Sequence, residues 1–141
     1  MPKALTMRIF SYLSALLLAL VCALSCAGQQ QAAKGKGHLE AVQKELQVGV
    51  VHKTPAVSTY WFELANTGKG PLTITDVRTS CYCTTVEWEK KPLKPQKKTR
   101  LKVVLDTSDM EPAELFVREI YIKSDADNPD VTVTMSGSIK E

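Results

Sequence analysis

Beyond residue 46, side chains suited to a protein interior recur at every second position, and this alternation constrains the fold more than any other feature. Three runs show it: Tyr60, Phe62 and Leu64; Leu101, Val103 and Leu105; and Val131, Val133 and Met135. A fourth run, from Phe116 to Ile122, follows the same period but is interrupted by Arg118. Successive side chains of a β-strand point to opposite faces, so each run predicts a strand with one buried face.

Turn-forming residues separate these runs and define about seven short strands. The predicted strands lie near 46–52, 57–66, 71–79, 84–88, 99–106, 115–124 and 130–139. Seven strands over about 95 residues, with no helical pattern between them, are typical of an immunoglobulin-like (Ig-like) antiparallel β-sandwich. The inter-sheet disulfide of antibody domains is not expected, because Cys81 and Cys83 lie too close together in sequence to bridge two sheets.

The first 26 residues have the composition of an export signal. Two basic residues precede an apolar stretch at 9–24, and small residues surround Cys26. The segment Ala23-Leu24-Ser25-Cys26 resembles the lipobox of bacterial lipoproteins, which predicts lipidation of Cys26. Cleavage near Ala27 without lipidation is the alternative. A membrane-spanning anchor is less favoured, because such a helix needs about 20 apolar residues.

The rest of the chain divides into a tether and a domain. Residues 27–45 are rich in Gln, Ala, Gly and Lys and are expected to form a flexible tether, followed by the domain at 46–141. Of 18 basic and 15 acidic side chains, only Lys3 and Arg8 precede Cys26, so the exported part has a net charge of +1. Because a nucleic-acid-binding protein needs a basic surface, nucleic acid is not an expected partner.

Five short segments follow one another in an order that is more specific than any one of them. They are Phe62-Glu63-Leu64-Ala65-Asn66-Thr67-Gly68, Pro71-Leu72-Thr73-Ile74, Ser80-Cys81-Tyr82-Cys83-Thr84, Pro92-Leu93-Lys94-Pro95 and Val104-Leu105-Asp106-Thr107. The series resembles domain-of-unknown-function family 1573 over residues 44–140. The resemblance implies an Ig-like sandwich similar to Hydin-type domains in exported bacterial proteins, many of them lipoproteins. The family usually has glycine where this chain has Tyr82 and Gln96, and Tyr82 disfavours a tightly turned backbone beside the cysteines.

Cys81 and Cys83 carry the only unusual chemistry of the predicted domain. In an extended strand their Cα atoms would lie about 6.5 to 7 Å apart, so a disulfide requires a local turn. A local bridge, two free thiols packed under a strand end and a soft-metal site all remain open. No helix start or third cysteine accompanies the pair, which favours a structural pair over the alternative function, a metal-binding or thiol redox protein.

Trp61 and Trp88, together with Lys90 and Lys91, are the predicted partner surface. Alternation turns Trp61 outward when the apolar set of its strand points inward, and exposed aromatic residues often mark contact surfaces. Lys90 and Lys91 begin a basic stretch that suits an anionic partner, although lysines also protect strand edges from aggregation. The expected partner is another envelope protein or a glycan.

Catalysis finds little support in the sequence. The two histidines are His38, in the predicted tether, and His52, at the end of the first predicted strand, and neither belongs to a nucleophile or zinc motif. No cofactor is expected. The sequence therefore predicts a non-catalytic binding or scaffolding module, exported to the periplasm or outer membrane and attached to the membrane through a lipid on Cys26.

Overall fold

The computed structural model describes residues 35–141 and contains eight β-strands and no α-helix in that part of the chain. The strands are β1 (Leu39–Ala41), β2 (Glu45–His52), β3 (Val57–Asn66), β4 (Ile74–Thr79), β5 (Thr84–Glu87), β6 (Lys98–Asp106), β7 (Ala113–Ser124) and β8 (Asp130–Lys140). All seven predicted strands are present within a few residues of their expected bounds. The predicted signal, Cys26 and the first part of the predicted tether lie outside the described residues.

The strands form two four-stranded sheets. Sheet A has the order β1-β3-β6-β5, and sheet B has the order β2-β8-β7-β4. Neighbouring strands are antiparallel except for β2 and β8, which run in parallel. The prediction of an Ig-like β-sandwich is confirmed, and β2 adds one parallel pair at a sheet edge.

The predicted alternation places one face of each sheet in a shared core. Phe62 and Leu64 of β3 are fully buried, as are Leu101, Val103 and Leu105 of β6. Sheet B contributes Ile120 and Ile122 of β7 and Val133 and Met135 of β8. Burying a side chain of this size contributes about 1.5–3 kcal/mol, so this two-sided apolar layer is the main source of stability.

The prediction of a flexible tether through residue 45 is wrong for its described end. Leu39–Ala41 forms β1, which pairs with β3 at the edge of sheet A, and both Leu39 and Ala41 are buried. Asn128 holds β1 from the other side: its Oδ1 accepts from Leu39 N at 2.9 Å, and its Nδ2 donates to Leu39 O at 2.7 Å. The segment was predicted to be a coil from its composition. Its pairing with β3 and its contact with Asn128 could not be recognised, because both partners lie far away in sequence.

Asn66, at the end of β3, bonds to four backbone groups in three segments: the one before β1, the turn that follows β3 and the loop around Leu93. Its side chain is completely buried. Oδ1 accepts from His38 N at 3.1 Å and Gly68 N at 3.0 Å, and Nδ2 donates to Gly70 O at 2.8 Å and Leu93 O at 2.9 Å. A primary amide has two donors and a two-fold acceptor, so this residue uses its whole hydrogen-bonding capacity.

Two positions require unusual backbone angles. Gly49 has a φ of 73° at a bulge in β2, where the register with β8 shifts. Gln96 has a φ of 60°, and its N–H donates to Asn66 O at 2.8 Å. Position 96 is one where the family usually has glycine, and the positive φ gives the physical reason for that preference. Tyr82 is not among the positive-φ residues found between residues 35 and 141.

Candidate functional site

The solvent side of sheet A carries the exposed aromatic residue that the sequence singled out. We define the outer A face as the outward side chains of the three strands β3, β6 and β5: Thr59, Trp61, Glu63, Lys98, Arg100, Lys102, Val104, Thr85 and Glu87. Trp61 lies midway along β3, the outer strand of these three, and is 48% exposed. Alternation with buried Phe62 makes this orientation obligatory, because turning Trp61 inward would expose Phe62.

Trp61 is accompanied by one guanidinium and two ion pairs. The Arg100 guanidinium carbon lies 5.2 Å from the Trp61 ring centroid, within cation–π range. Around them, Lys98 Nζ lies 2.6 Å from Glu63 Oε1, and Lys102 Nζ lies 3.1 Å from Glu87 Oε2. The outer A face therefore combines one aromatic–arginine pair with two neighbouring pairs of opposite charges.

Trp88, Lys90 and Lys91 do not belong to this face. Trp88 follows β5, packs against the core and donates from Nε1 to Ile74 O at 3.3 Å. Lys90 Nζ lies 5.6 Å from the Trp88 ring centroid, and Lys91 pairs with Glu89 at 3.3 Å. The predicted partner surface therefore separates into an exposed site at Trp61 and a core-covering residue, Trp88.

Cys81 and Cys83 are joined by a disulfide in the turn between β4 and β5. Their Cα atoms lie 5.3 Å apart, and Thr84 N donates to Cys81 O at 3.2 Å, so the chain turns here as a bridge requires. Tyr82, between them, is 90% exposed. A three-residue loop gives a disulfide only about 1.5 kcal/mol of chain-entropy stabilisation, the low end of the usual range.

The turn is also anchored by hydrogen bonds. Ser80 exchanges two of them with Glu119 of β7: its N donates to Glu119 O at 2.9 Å, and its Oγ accepts from Glu119 N at 3.0 Å. On the other side, Asp106 N of β6 donates to Cys83 O at 2.9 Å. Thr79 Oγ1 lies 2.9 Å from Cys81 O and 3.0 Å from Thr84 O, bridging the two ends of the turn. Hydrogen bonds thus hold the turn to both sheets independently of the disulfide.

Arg118 lies beside the disulfide and was missed as a site residue. It occupies an inward position of β7, between buried Phe116 and Ile120. Its Nε lies 3.3 Å from Cys83 Sγ, its Nη1 donates to Val117 O at 2.8 Å, and its guanidinium lies 5.7 Å from the Phe116 ring centroid. The available signal was the interruption of an apolar alternation by a charged residue.

A cleft of about 390 Å³ opens at the disulfide, and we call it the disulfide cleft. Its apolar walls include Tyr82, Met110, Leu115 and Phe116, and Leu115 is 69% exposed. Asp109, Glu111 and Arg118 supply its charges. The cleft thus combines accessible sulfur, apolar surface and one cation.

The histidines have other partners. His38 Nδ1 lies 2.7 Å from Asp127 Oδ1, and His52 Nδ1 lies 3.2 Å from the backbone oxygen of Glu141. Within residues 35–141, no three His, Cys, Asp or Glu side chains are arranged to hold a metal ion. The idea of a site that combines histidines with Cys81 and Cys83 receives no support from this arrangement.

Two exposed groups have shifted pKa values, and both shifts arise from residues two positions away. Hydrogen bonds from the Ser108 side chain and backbone lower the pKa of Asp106. A hydrogen bond to Glu119 raises the pKa of Tyr121. Such shifts reflect local turn and strand contacts and do not indicate a proton-transfer centre.

Two stacked four-stranded sheets with this strand order define an Ig-like β-sandwich. The chain belongs to the family described as protein of unknown function, DUF1573, whose model matches residues 39–139. The match begins at β1, which agrees with the inclusion of that strand in the domain.

Solved structures show the same fold at low sequence identity. A Porphyromonas gingivalis W83 protein of unknown function is 20% identical, with a TM-score of 0.64 over 80% of this chain and 51% of that protein, so this chain spans about half its length. The human CEP192 PapD-like domain 7 is 9% identical, with a TM-score of 0.59 over 75% of this chain and 87% of that domain. The E. coli chaperone DraB is 14% identical, with a TM-score of 0.52 over 74% and 55%, respectively.

A comparison with curated proteins found no match. In the stretch from residue 35 to the end, the structure has no helix long and apolar enough to cross a membrane.

Proposed function

We propose that this chain is an exported, lipid-anchored binding module of the bacterial cell envelope whose outer A face holds another envelope protein by binding and carries no catalytic residues. The observation that carries the proposal is the exposed Trp61 with the Arg100 guanidinium against its ring, on a surface built by three paired strands. Trp and Arg are enriched among the residues that dominate protein–protein binding energy.

The arrangement of charges favours a protein as the ligand. Protein interfaces combine an aromatic centre with a polar rim, and here the rim pairs Glu63 with Lys98 and Glu87 with Lys102. Because these charges are already paired, the surface needs no strongly charged partner. Arg100 also occupies one face of the Trp61 ring, which a stacked sugar would otherwise use. The similarity to DraB, described as a chaperone, is compatible with a protein ligand.

Export and anchoring are supported by the first residues of the chain. The basic start, the apolar stretch at 9–24 and Cys26 after a small residue match the signal of a bacterial lipoprotein. A lipid on Cys26 would keep the domain at a membrane surface, where the outer A face could meet a neighbouring protein.

Substitution of Trp61 by alanine should weaken partner binding at least tenfold, because it removes the aromatic centre while leaving the buried face of β3 unchanged. The partner is first identified by crosslinking and co-purification of the full-length chain from detergent-solubilised envelopes. Its affinity for each variant is then measured with the purified partner.

Tyr121→Ala is the matched control, because Tyr121 is also an exposed aromatic residue but lies on the solvent side of sheet B. It should leave the affinity within about twofold of the unmodified value. Equal effects of the two variants, or no effect of Trp61→Ala, would contradict the assignment of the outer A face. If a glycan were recovered instead and its binding depended on Trp61, the ligand of the outer A face would be a glycan and not a protein.

A further inference from the structure

We infer that the Cys81–Cys83 disulfide is a thiol–disulfide exchange site whose substrate is a pair of cysteines in another exported polypeptide. The site lies in the disulfide cleft and uses none of the residues of the outer A face, so it stands independently of the proposed binding function. Three observations carry the inference: a disulfide that lines a cleft and that the turn does not need, a cation beside one of its sulfur atoms and apolar residues in the same cleft.

The bridge is not required to shape its turn. Thr79 Oγ1 already connects the two ends of the turn, and Ser80 and Cys83 are hydrogen-bonded to β7 and β6. A bridge that closes only three residues also constrains the unfolded chain little. A disulfide with a small structural contribution can open and close without unfolding the domain.

Arg118 distinguishes the two sulfur atoms. Its Nε lies 3.3 Å from Cys83 Sγ, and among residues 35–141 no carboxylate approaches within ion-pair distance of its guanidinium. The Arg118 guanidinium is partly exposed and its Nη1 donates to Val117 O, which leaves its Nε for a partner at Cys83. A thiolate on Cys83 is such a partner, and the Thr84 hydroxyl, 3.7 Å from the same sulfur, adds a second donor.

Both cysteines are partly buried and line the cleft, but their surroundings differ, and we assign Cys81 as the sulfur that is attacked. Cys83 packs against the core, whereas Cys81 is not among the residues of that packing layer. The Cys83 backbone N–H donates to Cys81 Sγ at 3.2 Å, so this sulfur also has a donor, but it has no cation. Attack at Cys81 makes Cys83 the leaving group, and a better-stabilised leaving thiolate departs faster.

The exchange proceeds in two steps. A substrate thiolate attacks Cys81 Sγ, a bond forms between the two sulfurs, and the electron pair of the broken Cys81–Cys83 bond moves onto Cys83 beside Arg118. The second substrate thiolate then attacks the substrate sulfur of this mixed disulfide, and Cys81 leaves. The substrate dithiol loses two electrons and becomes a disulfide, while the domain gains them as a dithiol. Protons released by the substrate pass through water to the departing sulfurs, and the reverse sequence reduces a substrate disulfide.

The walls of the cleft indicate what kind of polypeptide would be the substrate of the exchange reaction. Tyr82 and Leu115 are both strongly exposed, and Met110 and Phe116 line the same cleft. An exposed apolar surface at a reactive bond suits apolar residues that flank the substrate cysteines. Unfolded exported chains present such residues.

The test measures the reduction of the oxidised full-length protein by dithiothreitol and by a synthetic peptide with two cysteines flanked by leucines. Arg118→Gln should slow both reactions about tenfold, because the leaving thiolate loses its cation, and Arg118→Lys should restore part of the rate. Arg78→Gln is the control, because Arg78 is exposed and pairs with Asp76. It should react at the unmodified rate.

Mapping the mixed disulfide separates this mechanism from a structural effect. A peptide with a single cysteine should be trapped on Cys81. This measurement uses the unmodified protein, so it does not depend on the folding of any variant. Leu115→Ser should slow the reaction with the apolar peptide but not with dithiothreitol. Equal rates for Arg118→Gln and the unmodified protein, or trapping on Cys83, would overturn the inference.

Discussion

Replacement of Asn66 by aspartate is expected to destabilise the protein by about 4 kcal/mol, although the two side chains have nearly the same shape. The amide of Asn66 donates to the carbonyl oxygens of Gly70 and Leu93. An aspartate oxygen in its place would face both carbonyls without a proton, in a position with no access to water. Urea unfolding of the purified protein at pH 7 measures the loss.

Two observations check this explanation. Asn128→Asp should cost less than half as much, because Asn128 is only half-buried and its amide donates to a single carbonyl, that of Leu39. Protonating a carboxyl at position 66 would restore one hydrogen-bond donor. The loss of unfolding free energy relative to the unmodified protein should therefore become smaller as the pH falls towards 4. Equal losses of stability for Asn66→Asp and Asn128→Asp would show that the buried amide of Asn66 does not make the larger contribution expected from its hydrogen bonds.

Replacement of Leu39 by alanine is expected to cost about 3 kcal/mol, as truncation of a buried leucine usually does. Leu39 is almost completely buried in β1, opposite Asn66 in the register of sheet A. The large effect follows from the inclusion of this segment in the sandwich, since a residue in a flexible tether would contribute nothing. Urea unfolding again provides the measurement.

Val42→Ala is the matched control for this prediction. Val42 lies one residue beyond β1 and its side chain is 53% exposed, so its truncation should change the stability by less than about 0.5 kcal/mol. If Leu39→Ala were as mild as Val42→Ala, β1 would not be part of the cooperative fold.

The strands could be predicted because their signal is local. In β3, the buried Phe62 and Leu64 and the exposed Trp61 are determined by a period of two, which each strand displays by itself. The same argument failed for β1, which has only three residues and therefore too few alternations to be recognised. Trp88 was named as a partner-surface residue without an argument from alternation, and it follows the end of β5 and packs on the core.

The residues of the candidate sites also differ in whether the sequence alone could identify them. Trp61 was identified because its exposure follows from its neighbours in sequence. Arg118 was not, because its significance depends on Cys83, which is 35 residues away in the chain and 3.3 Å away in space. Asn66 appeared only as part of a family segment, because two of its four partners, His38 and Leu93, lie far from it in sequence.

The amino-acid sequence by itself determined that residues beyond 46 form short strands, which face they bury and that Trp61 meets solvent. These properties depend on the backbone geometry of single strands and on the hydrophobic effect. Only the tertiary structure decided that β1 joins sheet A, that Asn66 connects His38 and Leu93 to its own turn and that Arg118 lies against a disulfide. Each of these depends on hydrogen bonds or charges between segments that are far apart in sequence, and such contacts have no period along the chain.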